Sequence, residues 1–337
     1  MSITTERRVS PENAWIDIVM KYNRPVLRKS IWQICNSLLP YLFLWYLMYE
    51  SLAVSYWITL GLSLLAAGFL IRLFIIFHDC GHRSFFKSRK ANDIVGILLG
   101  ILTFTPYHGW HHHHKIHHDT SGNLDKRGIG DVWTMTVNEY IEATKVKRFV
   151  YRAFRNPFVL FTIGPLYMIL IQNRIPKKYM NRLDKQNIYF TDLMILVVAV
   201  GVSLLIGLKA YLLIQVPVIF LSHSLGIGLF YVQHQFEEVS WERQETWEYK
   251  NAAIKGSSFL KLPVVLQWFT GNIGFHHVHH LSSRIPNYSL ERCHKENDLF
   301  KEVNSIGIIA AIKTFKLNLW DEAARRMISF SKLAIQV

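Results

Sequence analysis

Four apolar blocks arranged as two closely spaced pairs constrain this chain more than any other feature. Ile31 to Tyr49 and Val54 to Phe77 run 19 and 24 residues, about 28 and 36 Å as helices. Either length crosses the roughly 30 Å hydrocarbon layer of a bilayer. Phe190 to Gly207 and Ala210 to Val232 form the second pair, joined by a few residues around Leu208 and Lys209. Backbone in hydrocarbon must satisfy its own hydrogen bonds, so each pair is expected to be a helical hairpin. Half of the 337 residues are hydrophobic and 18% are charged, which places the chain among integral membrane proteins rather than soluble two-domain ones. The expected fold class is an all-α integral membrane protein.

Three histidine clusters set the chemistry: His78-Asp79-Cys80-Gly81-His82, His114-Lys115-Ile116-His117-His118 and His276-His277-Val278-His279-His280. In helices, His78/His82 stand at i,i+4, and His114/His117/His118 and His276/His279/His280 at i,i+3,i+4, so each cluster presents its imidazoles on one face. Imidazole is the commonest protein metal ligand. Eight motif histidines exceed what one ion uses, whereas two octahedral-leaning ions would employ them, and iron makes such an open pair redox-active. The bland reading of one His pair is a solvated helix face. The run His111 to His114 also reads as an adventitious metal-scavenging tract, a reading kept for His111, His112 and His113; it does not explain the other two clusters.

A single site requires all three clusters on one side of the bilayer, hence an even number of crossings between them. Two shorter apolar stretches, Ile94 to Tyr107 and Pro157 to Gln172, carry Gly100, Pro106, Gly164 and Pro165 and are therefore read as re-entrant or interfacial, the second broken at Gly164-Pro165. Arg7, Arg8, Lys21, Arg24, Arg28 and Lys29 precede the first hairpin, and Arg83, Lys87, Arg89 and Lys90 follow it, while Glu50 to Ala53 has no Lys or Arg. The positive-inside rule puts both termini and the clusters in the cytoplasm of a multi-pass cell-membrane protein. The expected organisation is a cytoplasmic segment 1–30, a membrane domain 31–300 with a cytoplasmic His-box cap, and a cytoplasmic tail 301–337.

The net charge of +14 follows from that bias and from attraction to anionic head groups, so no nucleic-acid partner is needed. The basic face also suits an acidic electron carrier. Cys35, Cys80 and Cys293 are scattered and make no disulfide framework or iron-sulfur motif. No nucleotide loop or Ser/His/Asp elbow occurs, so nucleotide-derived electrons must come through a partner. A transporter would need ligands along a crossing path, and a haem carrier would need facing histidines inside the bilayer. His223 stands alone there and is expected to be hydrogen-bonded core; His108 fits no cluster, and His294 is expected at the surface.

The spacing His78-x3-His82, His114-x2-His117-His118 and His276-x2-His279-His280, with a hairpin before the first and third boxes, resembles the membrane fatty acyl desaturases over residues 31 to 300. FHDCGH, NLDKRGIGD at Asn123 to Asp131, FYVQHQFE at Phe230 to Glu237 and TGNIGFHHVHHLSSRIPNY at Thr270 to Tyr288 look most like the acyl-lipid desaturases of bacilli, which act on phospholipid chains. The resemblance implies a di-iron (Fe2+) centre held by His78, His82, His114, His117, His118, His276, His279, His280 and the isolated His234. It implies O2-dependent insertion of a cis double bond, Δ5 as first choice, into saturated acyl chains of membrane phospholipids, with electrons from a cytosolic ferredoxin or flavodoxin. No side chain beyond the metal centre is expected to be catalytic. Asp79, Asp131, Glu237 and Glu238 are candidates to orient the ligand imidazoles, and Gln233 or Glu237 to partner His234. A hydroxylase or ketolase of a lipid on the same scaffold, and a membrane metal-binding or transport protein, are the competing readings.

Overall fold

The computed structural model describes residues 14–336; Arg7 and Arg8 lie outside them. The chain runs through α1 (Ala14–Met20), α2 (Leu27–Ser51), α3 (Tyr56–Gly81), α4 (Arg89–Leu102), α5 (Tyr107–Thr120), β1 (Met135–Thr136), α6 (Val137–Glu142), α7 (Lys145–Phe154) and α8 (Pro157–Tyr167). It continues through α9 (Arg182–Ile206), α10 (Leu208–His234), α11 (Tyr249–Lys255), β2 (Phe259–Lys261), α12 (Val264–Phe269), α13 (His276–Leu281) and α14 (Asn287–Glu296). Last come β3 (Ser305–Gly307), α15 (Ile308–Thr314), β4 (Leu319–Asp321), β5 (Arg326–Ile328) and α16 (Phe330–Gln336).

The fold is mostly helical, but not purely so. β1 and β5 flank β4, which pairs parallel with β1 and antiparallel with β5, and β2 pairs parallel with β3. These strands have two or three residues each, too few to leave a period-two pattern in the sequence. They fold residues 305–328 back onto the segments beside the histidine clusters.

α3, α9 and α10 are long and apolar enough to cross a membrane. α2, the first expected span, has 25 residues but does not reach the same hydropathy. Its polar side chains explain why: Ser30, Gln33 and Ser37 are buried inward, while Trp32, Leu39, Phe43 and Tyr46 face outward. An inside-out helix of this kind suits lipid surroundings, where the outer surface is the apolar one. α9 meets α10 at the single residue Gly207, whose φ of 87° is open to glycine at little cost; Leu208 and Lys209 already belong to α10.

The two short apolar stretches fold differently from expectation in detail. Ile94 to Tyr107 is not one segment: α4 ends at Leu102, the chain turns through Phe104 at φ 54°, and Tyr107 opens α5. Fourteen residues give α4 about 21 Å, short of a crossing. A Cβ on Gly96 would stand 2.1 Å from the Tyr107 ring, so glycine there lets α5 close against α4. Pro157 to Gln172 is helical throughout, as α8 followed by a π turn over Met168–Gln172. The break lies upstream, where α7 meets this helix at 82°. Pro165 cannot donate to the Phe161 carbonyl, but Ser224 Oγ of α10 does so at 2.9 Å, so the helix continues. Pro217 in α10 is tolerated the same way, its orphaned Leu213 carbonyl accepting from Tyr56 Oη at 3.3 Å.

Candidate metal centre

α3 and α10 end at one level of the bundle, delivering His78 and His82 from one and His234 from the other. α5 crosses between them with His114, His117 and His118 on its inner face, and the single-turn-and-a-half α13 closes the other side with His276, His279 and His280. The nine histidines sort into two groups. His78, His82, His114, His118 and His279 form one, and His117, His234, His276 and His280 the other, each with one ring nitrogen per residue within 4.8 Å of all the rest. The groups lie back to back, with the His118 and His280 rings stacked at 4.2 Å. The second and third boxes therefore each serve both groups, whereas the first serves one: α5 sends His114 and His118 to one and His117 to the other, and α13 sends His279 to the first and His276 and His280 to the second.

The spacing fits metal ions. His118 Nε2 is 3.1 Å from His114 Nε2 and 3.0 Å from His279 Nε2; His234 Nε2 is 2.8 Å from His276 Nε2, which is 3.1 Å from His280 Nε2. Nitrogens bound about 2.1 Å from one first-row ion stand about 3 Å apart along an octahedral edge. Tautomers give a second test. His117 Nδ1 donates to Asp131 Oδ1 at 2.6 Å and His234 Nδ1 to the Gly256 carbonyl at 3.3 Å. In neutral imidazoles those bonds leave a bare lone pair on each Nε2, yet these two atoms face each other at 3.2 Å. A cation between them turns that repulsion into ligation. Among the described residues, His82 Nε2 is also buried without a hydrogen-bond partner.

Burial first, and neighbouring imidazoles second, hold His82, His114, His118, His276, His279 and His280 well below the ordinary histidine range. At neutral pH they are in the unprotonated form that binds metal. Trp110 stacks on His114 at 4.4 Å and fixes that ring.

The carboxylate candidates divide. Asp131 meets His117 as described. Asp79 Oδ1 lies 3.2 Å from His78 Nδ1, and its Oδ2 accepts from the Asn287 backbone N at 2.7 Å and Asn287 Nδ2 at 2.9 Å, tying α3 to the start of α14. Glu237 does not approach any imidazole: the chain leaves helical geometry at Gln235, and Glu237 points outward to Lys332 Nζ at 3.6 Å. Glu238 is exposed as well. Gln233 donates to the Ile273 carbonyl rather than to His234. The Gly256 carbonyl and Asn287 were not foreseeable, since they reach the site from 22 residues and 208 residues away along the chain.

The remaining histidines stay outside both groups. His112 Nδ1 bonds Asp184 at 2.7 Å and His113 bonds the Tyr179 hydroxyl, so these two of the three tract histidines are tied to neighbouring segments. His223 Nδ1 pairs with the Ile219 carbonyl of its own helix at 2.9 Å. His294 is not a plain surface residue: it is half-buried, its Nδ1 3.0 Å from His277 Nε2. His277, inside the third cluster, turns away from the metal-facing side.

A sequence model of the family described as fatty acid desaturase matches residues 55–304. A protein named fatty acid desaturase from Bacillus subtilis (strain 168) is 48% identical over 312 residues, 93% of this chain and 89% of that protein. An sn-1 acyl-lipid omega-3 desaturase (ferredoxin) from Nostoc sp. (strain 36) is 29% identical over 65% of this chain and 61% of its own length. An sn-1 oleoyl-lipid 12-desaturase from Synechocystis sp. (strain ATCC 27184 / PCC 6803 / Kazusa) is 27% identical, over 76% and 72%.

Proposed function

Because the chain belongs to the fatty acid desaturase family, we propose that it inserts a cis double bond, at Δ5, into saturated acyl chains esterified in membrane phospholipid. Two ferrous ions bound by the nine imidazoles would supply the O2-dependent oxidation, in which two substrate hydrogens, two electrons and two protons leave with O2 as two waters. The observation that carries this reading is the back-to-back pair of imidazole groups. Five and four nitrogen ligands, with no carboxylate among them, would leave each ion short of six.

The protein's own part is position. Asp131 and the Gly256 carbonyl fix the tautomers of His117 and His234 so that Nε2 points inward. Asn287 holds Asp79 beside His78. Electrons would come from a cytosolic ferredoxin or flavodoxin; the ferredoxin in the name of the Nostoc relative supports the first. In the membrane, α2, α3, α9 and α10 would make two hairpins, with α4 and α8 not crossing, so that both termini and the metal centre face the cytoplasm. Residues 31–300 would form the membrane domain, with 1–30 and 301–337 on its cytoplasmic side. The test is expression in a host without desaturases and location of the double bond in its phospholipids by mass spectrometry. Saturated chains alone, or hydroxylated ones, overturn the proposal.

A further inference from the structure

α7 carries an exposed apolar stripe that the metal centre does not use. Val146, Phe149, Val150 and Ala153 stand at i, i+3, i+4 and i+7 on one side of the helix, with Val146 and Phe149 exposed to 73% and 72%. The opposite edge is anchored: Tyr151 is fully buried, its hydroxyl taking the Met135 N–H at 3.0 Å and donating to the Asn318 carbonyl. Lys145, Lys147, Arg148 and Arg152 flank the stripe. Among the described residues none of these four cations forms an ion pair; Arg152 donates to the Tyr140 hydroxyl at 2.5 Å and lies over the Phe330 ring at 5.0 Å from its centre, neither of which neutralises its charge.

What covers this face follows from its neighbour. α7 and the apolar helix beginning at Pro157 are bent by 82°, and the exposed stripe runs on through Phe154 into Phe158. When the second helix dips along the membrane normal, the first lies in the membrane plane. A helix lying so, with an apolar side and a basic flank, is the form of an interfacial anchor on anionic lipid. We propose that α7 is a lipid-interface helix whose Lys145, Lys147, Arg148 and Arg152 gather anionic phospholipid head groups beside the metal centre. Its C-terminal neighbour links it to that centre: buried Arg155 donates to Gln235 Oε1 at 2.7 Å, and Gln235 follows His234. The proposal rests on the membrane reading above but not on the identity of the reaction.

The full chain carrying Cys35→Ser leaves only the buried Cys80 and Cys293 as native thiols. Phe149→Cys in that background is labelled with an environment-sensitive fluorophore and reconstituted into vesicles of phosphatidylcholine and phosphatidylglycerol, with bromine on the chains of one lipid or the other. Leu204→Cys on α9, exposed to 82%, reports insertion of the bundle independently. The expected result is quenching at 149 by both lipids, with brominated phosphatidylglycerol quenching about twofold or more beyond its share of the bilayer. High salt, or the combined Lys145→Gln, Lys147→Gln and Arg148→Gln changes, should remove that excess and leave the label quenched. Quenching at 204 but not at 149 overturns the interfacial placement while the membrane reading stands. Quenching at 149 in proportion to lipid composition overturns the anionic preference, and no quenching at either position overturns both.

Discussion

Removing the Asp131 carboxylate should loosen metal from one group of imidazoles while sparing the fold. Asp131 and His117 side chains are 4% and 1% exposed and meet at 2.6 Å, so water does not replace the lost acceptor. A hydrogen bond to a charged group contributes roughly 1.5–3 kcal/mol, and outer partners of metal-bound histidines typically control about 10- to 100-fold in metal affinity or activity. Asp131→Ala should therefore cost about 10- to 100-fold in retention of the ion held by His117, His234, His276 and His280. Asp131→Asn should fall between, because its amide oxygen can accept from His117, whereas its NH2 faces the Gly128 backbone N–H that the carboxylate now accepts at 3.3 Å. Gly130→Ala should approach Asp131→Ala: at φ 81° a Cβ would stand 2.9 Å from the His113 carbonyl and from His117 Cβ. Iron per chain is measured after exposure to a graded chelator series, beside double-bond content in the lipids. Glu237→Ala is the control, since its contacts are exposed surface pairs of small worth. An Asp131→Ala protein that holds iron against the same chelator as the unmodified chain would refute the reasoning.

His234→Ala, which takes one of four nitrogens from its group, should lose desaturation and up to half the bound iron, while His223→Phe, His111→Ala and His113→Ala keep their iron; elemental analysis and lipid product decide both. A cysteine at Lys126 or Lys250 should react with an impermeant reagent only from the side opposite to one at Ala53 or Leu208, and labelling of 126 and 53 from the same side would sink the two-hairpin topology. Ser224→Ala should destabilise α8 by about 1 kcal/mol, within the range of interhelical hydrogen bonds in bilayers. Pro165→Ala returns a backbone N–H to the Phe161 carbonyl, so a thermal-unfolding double-mutant cycle should show the Ser224 cost shrinking in that background.

The histidine boxes were legible because helical periodicity is local: i, i+3 and i+4 spacing fixes which imidazoles share a face before any packing occurs. The apolar blocks were legible for the same reason, as length and hydropathy are properties of the segment. The sequence by itself thus determined a helical chain of membrane character and eight box histidines fit to hold metal, while His234, outside any box, entered only through the family resemblance. How those nine divide into five and four was a matter of tertiary structure, since it depends on where α5 and α13 cross the ends of α3 and α10. So did the roles of the acids. Asp131 and Glu237 look alike in sequence, yet a tight turn around Gly130 aims one at His117, and the chain's departure from α10 at Gln235 aims the other outward. Proline misled where it was judged alone: Pro165 lies within an unbroken helix because a serine 59 positions later on another helix takes up the carbonyl it frees. Hydrogen-bond partners distant in the chain leave no local pattern, so only the packed structure could supply them.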